Sequence, residues 1–257
     1  TPDQDKATPS LIGDVSRGVM LNQAPIFLGG QGGLVGPVRI EYGVVVAAGI
    51  IVRKDLLREG RILLGQPAVD KSVPFHRGLY SNVQRIVGQN TLYLGNLIAL
   101  RRWYKDVRIH FVEPDSMEGA LLEAAVEKLE CAVEERLYRL RQVAERMPRS
   151  IEISKRISSI IRTSEKAVQR KKEFHEKWGQ VEKVFKESLN LEGDPLIREK
   201  FQRIIEKGIG KNGGHYLRVI KGLSPDEAKL GSTWLQGIID KVVERIENVL
   251  PSFSLSK

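Results

Sequence analysis

The sequence predicts an α+β chain: a short left-handed parallel β-helix segment followed by a mainly α-helical bundle with long antiparallel helices. Three observations carry that prediction. Branched aliphatics recur at every sixth position, in the order Leu28, Leu34, Ile40, Val46 and Val52; two later stretches repeat apolar residues at seven; and glycine or proline marks the joints between these regions. The expected units are residues 1–60 for the β-helix coils, 61–115 for a connector and a spine helix, and 116–257 for the helical bundle or hairpin.

A period of six is neither the 2 of a strand nor the 3.6 of a helix. It fits a solenoid with three short strands per coil, in which the aliphatic heading each hexad stacks on its equivalents in neighbouring coils. Gly29, Gly36, Gly43 and Gly49 fall where corners need positive φ or close backbone approach. Val35 and Ile50 are larger than the slots they occupy in that register. The competing reading is a buried β-meander that spaces its aliphatics by six. From Leu28 to Val52 the run supplies fewer than two coils, and solenoids need about three stacked repeat units. The opening TPDQDKATPS reads as mid-domain sequence without an initiator methionine or signal peptide. A C-terminal fragment of a longer protein is therefore expected, with upstream coils and an incomplete coil in residues 11–27.

Residues 61–78 hold two prolines and two glycines and read as an extended connector. The stretch 79–107 is too apolar for a surface helix and is expected to form the spine on which other helices pack. From Ser116 to Met147, Val126, Val133, Leu140 and Met147 repeat at seven beside Leu122, Leu129 and Val143, with Ser116 as N-cap and Pro148 as stop. From Ile151 to Leu189 the series Ile153, Ile160, Ala167, Phe174 and Val181, with Ile157, Trp178 and Phe185, predicts one amphipathic helix of roughly 55 Å. Asp194-Pro195 starts a helix to about Lys207, and 208–217 is expected as a loop. Ser224-Pro225 with Asp226-Glu227 caps a last helix that ends near Leu250-Pro251.

The chain has 257 residues, 41% hydrophobic and 28% charged, which is ordinary for a globular protein and long enough for one large domain or two modest ones. Its longest apolar run, 43–52, falls short of the ~18 residues that cross a bilayer, and a cytoplasmic setting is expected. The lone Cys131 excludes an intrachain disulfide and a cysteine-based zinc site. The first sixty residues carry six basic and six acidic side chains, so the net charge of +9 belongs to the remainder. It is densest at Lys166, Arg170, Lys171, Lys172, Lys177, Lys183 and Lys186. Interleaved Glu173, Glu176 and Glu182 at helix-pair spacing make this the solvated face of a helix rather than a nucleic-acid surface.

Motifs for chemistry are sparse. His76, His110, His175 and His215 all lie outside the hexad run, and none has a second ligand at metal spacing. Acyltransferases built on hexapeptide repeats use a histidine base. Here only His76, just beyond the repeats, is a candidate, with Arg39, Arg53 and Lys54 as phosphate contacts for an acyl-CoA. GGQGG at 29–33 lacks the Lys-Ser/Thr of a P-loop and reads as a corner. GKNGGH at 210–215 offers Lys211, His215 and backbone amides to an anion, although Asn-Gly is first a turn signal.

The stretches DKATPSLIGDVSRGVML (5–21), PIFLGGQGGLVGPVRIEYGVVVAAGIIVRKD (25–55) and NTLYLGNLIALRRWY (90–104) resemble the C-terminal region of bacterial UDP-N-acetylglucosamine pyrophosphorylase-like sugar nucleotidyltransferases. The resemblance covers about the first 105 residues. It implies an upstream Rossmann-like domain that uses UTP and Mg²⁺ for uridylyl transfer, and a β-helix that trimerises or carries acetyl transfer. No nucleotidyltransferase motif and no cofactor site is expected in this chain itself. The expected function is thus an accessory and oligomerisation region, a homo-oligomer with a trimer favoured. Acyl transfer to a nucleotide sugar, or a basic helical module that binds nucleic acid or an acidic protein, are the alternatives.

Overall fold

A computed structural model describes residues 7–65, 76–157 and 164–255. The chain opens with β1 (Leu11–Ile12) and a single helical turn, α1 (Val15–Gly18). There follow the two-residue strands β2 (Phe27–Leu28), β3 (Gly33–Leu34), β4 (Arg39–Ile40), β5 (Val45–Val46), β6 (Ile51–Val52) and β7 (Ile62–Leu63). They pair in parallel in three small sheets, ordered β1-β4, β2-β5-β7 and β3-β6. Phe27 lies beside Val45 and Gly33 beside Ile51, each pair three hexads apart. Gly43 and Gly49 take the positive φ expected of corners, +69° and +75°.

These residues do not build the expected left-handed β-helix. The strands are two residues each, the sheets hold two or three strands, and the chain as a whole is mainly helical. Two physical reasons account for the difference. α1 and the residues after it stand between β1 and β2, so β1 meets β4 at a wider sequence separation than the other pairs and the six-residue spacing is lost between β1 and β2. The run is also too short to cover its own outer row. Ile40, Val46 and Val52 are buried, together with Val38 and Val44, whereas Leu28 and Leu34 are 42% and 38% exposed.

The helical part begins with α2 (Val83–Asp106), capped by Asn82, whose side chain accepts from the Arg85 N–H at 3.0 Å. A 3₁₀ turn at Arg108–Phe111 leads to α3 (Met117–Glu145), where Ser116 Oγ accepts from the Gly119 N–H at 3.0 Å, as its position predicts. α4 (Met147–Arg156) follows after a joint at Arg146. α3 ends at Glu145, three residues before the expected stop at Pro148, and Pro148 stands in the first turn of a new helix, α4, where its missing N–H has no partner to lose.

The long helix expected over 151–189 is divided. α5 (Glu165–Glu176) and α6 (Trp178–Ser188) part at Lys177, which leaves helical geometry at φ −98°, ψ 9°. Its Nζ donates to the Glu173 carboxylate and to the Val249 carbonyl, both at 2.9 Å, tying the joint to the last helix. The heptad residues Phe174, Val181 and Phe185 are nonetheless buried. Ile160 and the connector residues 66–75 lie outside the described residues.

α7 (Pro195–Asn212), capped by Asp194, runs through the first half of the stretch expected as a loop and ends at Gly213, φ +60°. Gly208, inside α7, faces Val219 of α8 (Tyr216–Lys221) at close range; a Cβ there would meet Val219 Cγ1 at 2.8 Å. α9 (Pro225–Val249) starts with the predicted cap, a reciprocal box between Ser224 and Glu227. A 3₁₀ turn, Pro251–Phe253, closes the described structure.

α2 is the spine and packs along α9, with Gly95 bringing the two close: a Cβ on it would sit 3.2 Å from Ile239 Cγ2. Trp103, Phe201 and Trp234 form an aromatic row with centroids 6.0 and 6.1 Å apart. The β-layer is joined to this core through α1. The Val15 N–H donates to Asn96 Oδ1 at 2.8 Å, Ser16 Oγ donates to Gln236 Oε1 at 2.9 Å, and Met20 is buried among the helices.

Candidate functional site

The β-layer has two faces of different chemistry. Toward the helices, Arg17 is pinned by Asp14, Glu41 and Glu59, and lies over the Tyr42 ring at 5.0 Å. The Tyr42 hydroxyl donates to the Asp14 carbonyl and accepts from the Asp14 N–H. Desolvation and the nearby Asp14 carboxylate push that hydroxyl above its usual range, so it stays protonated. Every member of this cluster is engaged, which makes it a clasp between α1 and the corners at Glu41 and Glu59.

At the other extreme lie the outer strands. β1, β2 and β3 each end their sheets, and each has one edge that no strand covers among the described residues. Along β2 and β3, Phe27 is 60% exposed and Val35 48%, beside the half-exposed Leu28 and Leu34. The opposite end of the stack shows Ile51, Ile62 and Leu64 to solvent. Exposed apolar side chains beside open strand edges are the composition of a contact surface rather than of a solvated one.

The site residues predicted from sequence are scattered. Arg39 donates its N–H to Asp55 Oδ1 at 2.9 Å and lines a space of about 60 Å³ between the β-layer and the helices, with Glu41, Asn96 and Gln236. Arg53 and Lys54 are exposed on the rim of a recess of about 630 Å³ whose walls are Ile50, Ile51, Leu56, Leu63 and Leu64. His76 does not line that recess; its Nε2 is buried without a hydrogen-bond partner among the described residues. The base and the phosphate contacts that acyl transfer requires are thus not brought together by these four residues. Among the described residues no group of three or more His, Cys, Asp or Glu is placed to hold a metal.

Lys211 and His215 are also separated. Lys211 is exposed on the last turn of α7, whereas His215 sits on the wall of a cleft of about 450 Å³ between α2, α3 and α8. That cleft collects residues the sequence reading had passed over: Tyr104, Arg108, Phe111 and Tyr216. The RIHF turn at 108–111 was the available signal, a cation and an aromatic three apart. Desolvation pushes the Tyr216 hydroxyl above its usual range, and it accepts from Trp103 Nε1 at 3.2 Å.

The basic stretch of α5 and α6 is not one continuous cationic face. Lys171 points inward and is 1% exposed, with its Nζ donating to Ser154 Oγ at 3.0 Å. Arg170 donates to the Ser252 carbonyl, and Lys172, Lys183 and Lys186 pair with glutamates one turn away. Among the described residues no helix is long and apolar enough to cross a membrane. Compared with protein-family models, curated proteins and solved structures, the chain matches none.

Proposed function

We propose that this chain is an accessory, self-associating region, in which two or more copies meet through the outer edges of β2 and β3. The observation that carries this reading is the coincidence, at one end of the β-layer, of uncovered strand edges with exposed Phe27, Leu28, Leu34 and Val35. A second copy is the occupant that fits. It supplies the same apolar row and the same open edges, as a symmetric contact requires, and the balanced charge of residues 1–60 puts no net repulsion between copies. The helices behind the layer give it a rigid mount through α1. A parent protein of the sugar nucleotidyltransferase class rests on the sequence resemblance alone. Acyl transfer has less support, because His76 and the pair Arg53 and Lys54 line no common recess.

The test is the mass in solution by light scattering, for the unaltered chain and for the double variant Phe27→Glu, Val35→Glu. Both side chains are exposed, so the substitutions place charge on the contact without entering the core. The expected result is a multiple of the chain mass that falls to a monomer in the variant, with the helical circular dichroism unchanged. A monomeric unaltered chain, or an oligomer indifferent to the two carboxylates, overturns the proposal.

A further inference from the structure

We infer that the cleft between α2, α3 and α8 binds a small organic monoanion with a flat apolar body, whose carboxylate is taken by Arg108 and whose body lies against α3. This site is independent of the self-association surface.

Arg108 is the centre of the cleft. Its guanidinium stacks 3.9 Å from the centroid of Tyr216, and it makes no ion pair among the described residues. Most of the other arginines that line the helices, including Arg101, Arg102, Arg141 and Arg198, are held by carboxylates. One of its donors reaches toward the Tyr216 hydroxyl; a guanidinium laid on a ring keeps its remaining in-plane N–H donors available, and such donors match a carboxylate two at a time. Tyr216 is itself fixed: Phe111 meets it edge-on at 5.1 Å and Trp103 donates to its hydroxyl, so the stacked arginine sits on a rigid base. His215 adds a second polar group to the same wall.

The opposite wall is apolar, formed by Leu121, Leu122 and Ala125 of α3 with Val112. Leu121 is 64% exposed although it faces a cleft of about 450 Å³, which is within the size range of small-molecule sites. A ligand with one anionic end and a flat apolar remainder satisfies both walls. Glu118 also lines the cleft, and its charge disfavours a dianion such as a phosphate monoester.

The experiment is calorimetric titration of the full chain with 1-naphthoate, with its neutral counterpart 1-naphthamide, and with two variants. Arg108→Gln removes the carboxylate partner; Leu121→Glu, on an exposed position, sets a like charge on the apolar wall. Saturable one-to-one binding of naphthoate is expected, weakened about tenfold or more by either substitution and by the loss of charge in the amide. Should Arg108→Gln fail to fold, as judged by circular dichroism, Leu121→Glu and the amide carry the test. Absence of saturable binding at millimolar naphthoate, affinity unchanged in Leu121→Glu, or equal binding of the amide overturns the assignment.

Discussion

Replacing Lys171 by methionine should stabilise the protein. The ammonium has three donors, and in this structure one of them reaches Ser154 Oγ while the residue is 1% exposed. Two donors are left without a protein partner among the described residues, at a cost of about 1–3 kcal/mol each. Methionine keeps a flexible apolar stem of similar length and removes the charge. Its one loss is the bond to Ser154, worth about 1 kcal/mol, and Ser154 Oγ remains satisfied because it donates to the Ser150 carbonyl at 2.8 Å. The net gain is about 1–5 kcal/mol; at its lower end, for a chain of this size, the melting temperature rises by roughly 2–4 °C. Burial also holds the Lys171 ammonium below the ordinary lysine range. Between its folded value and the ordinary one the unfolded chain binds more protons, so stability contributed by this group rises with pH across that window. The advantage of Lys171→Met should accordingly shrink between neutral pH and about pH 10. Melts followed by circular dichroism at both pH values decide the matter; a variant that melts lower than the parent, or an advantage that grows with pH, refutes the reasoning.

Two further substitutions probe the core and the joint at Lys177. Gly231→Ala forces a Cβ to 2.5 Å from Met20 Cε and 2.6 Å from the Phe201 ring, and should cost about 1–3 kcal/mol, read as a fall in the midpoint of urea unfolding. At Glu173, burial works to raise the carboxyl, but Ser252 and Lys177 bonds outweigh it and hold the group below the ordinary carboxylate value. A depressed acid contributes stability above its unfolded value and loses it as pH falls through the folded one. Glu173→Gln should therefore lower the melting temperature at neutral pH and flatten its decline toward acid; an acid limb as steep as that of the parent counts against the assignment.

Local chemistry was readable where neighbours in sequence are neighbours in space. Of the five hexad aliphatics expected to stack inward, Ile40, Val46 and Val52 are buried while Leu28 and Leu34 are exposed, and strands three hexads apart pair in parallel without completing the expected β-helix. The spacing also showed that the run was short of two coils, but not that α1 would interrupt it, because its residues look unremarkable in sequence and acquire meaning only through Asn96 and Gln236. Ser116, Asp194 and Ser224 were legible as caps. The break at Lys177 was not, since what marks the position in space, the contact of its Nζ with the Val249 carbonyl, lies far along the chain. Lys171 is the instructive case: charge pattern placed it on a solvated face, while the register of the helix turned it toward Ser154. Apart from the RIHF turn at 108–111, the cleft was hard to read for a similar reason. His215 was noticed for its glycine-rich surroundings, but its companions Arg108 and Phe111 lie about a hundred positions earlier and share no motif with it.

The contact between Ser16 and Gln236 joins residues 220 positions apart. A ribosome extends a chain at roughly 5–20 residues/s, so the first partner of this pair waits on the order of 10–45 s for the second. During that interval α1 and Met20 have no α9 to lie against, and the β-layer leans on α2, through Asn96 and Arg85. The nascent chain therefore keeps Met20 and α1 uncovered by α9 until that helix is made, whereas the outer row at Phe27, Leu28 and Leu34 stays exposed even afterwards.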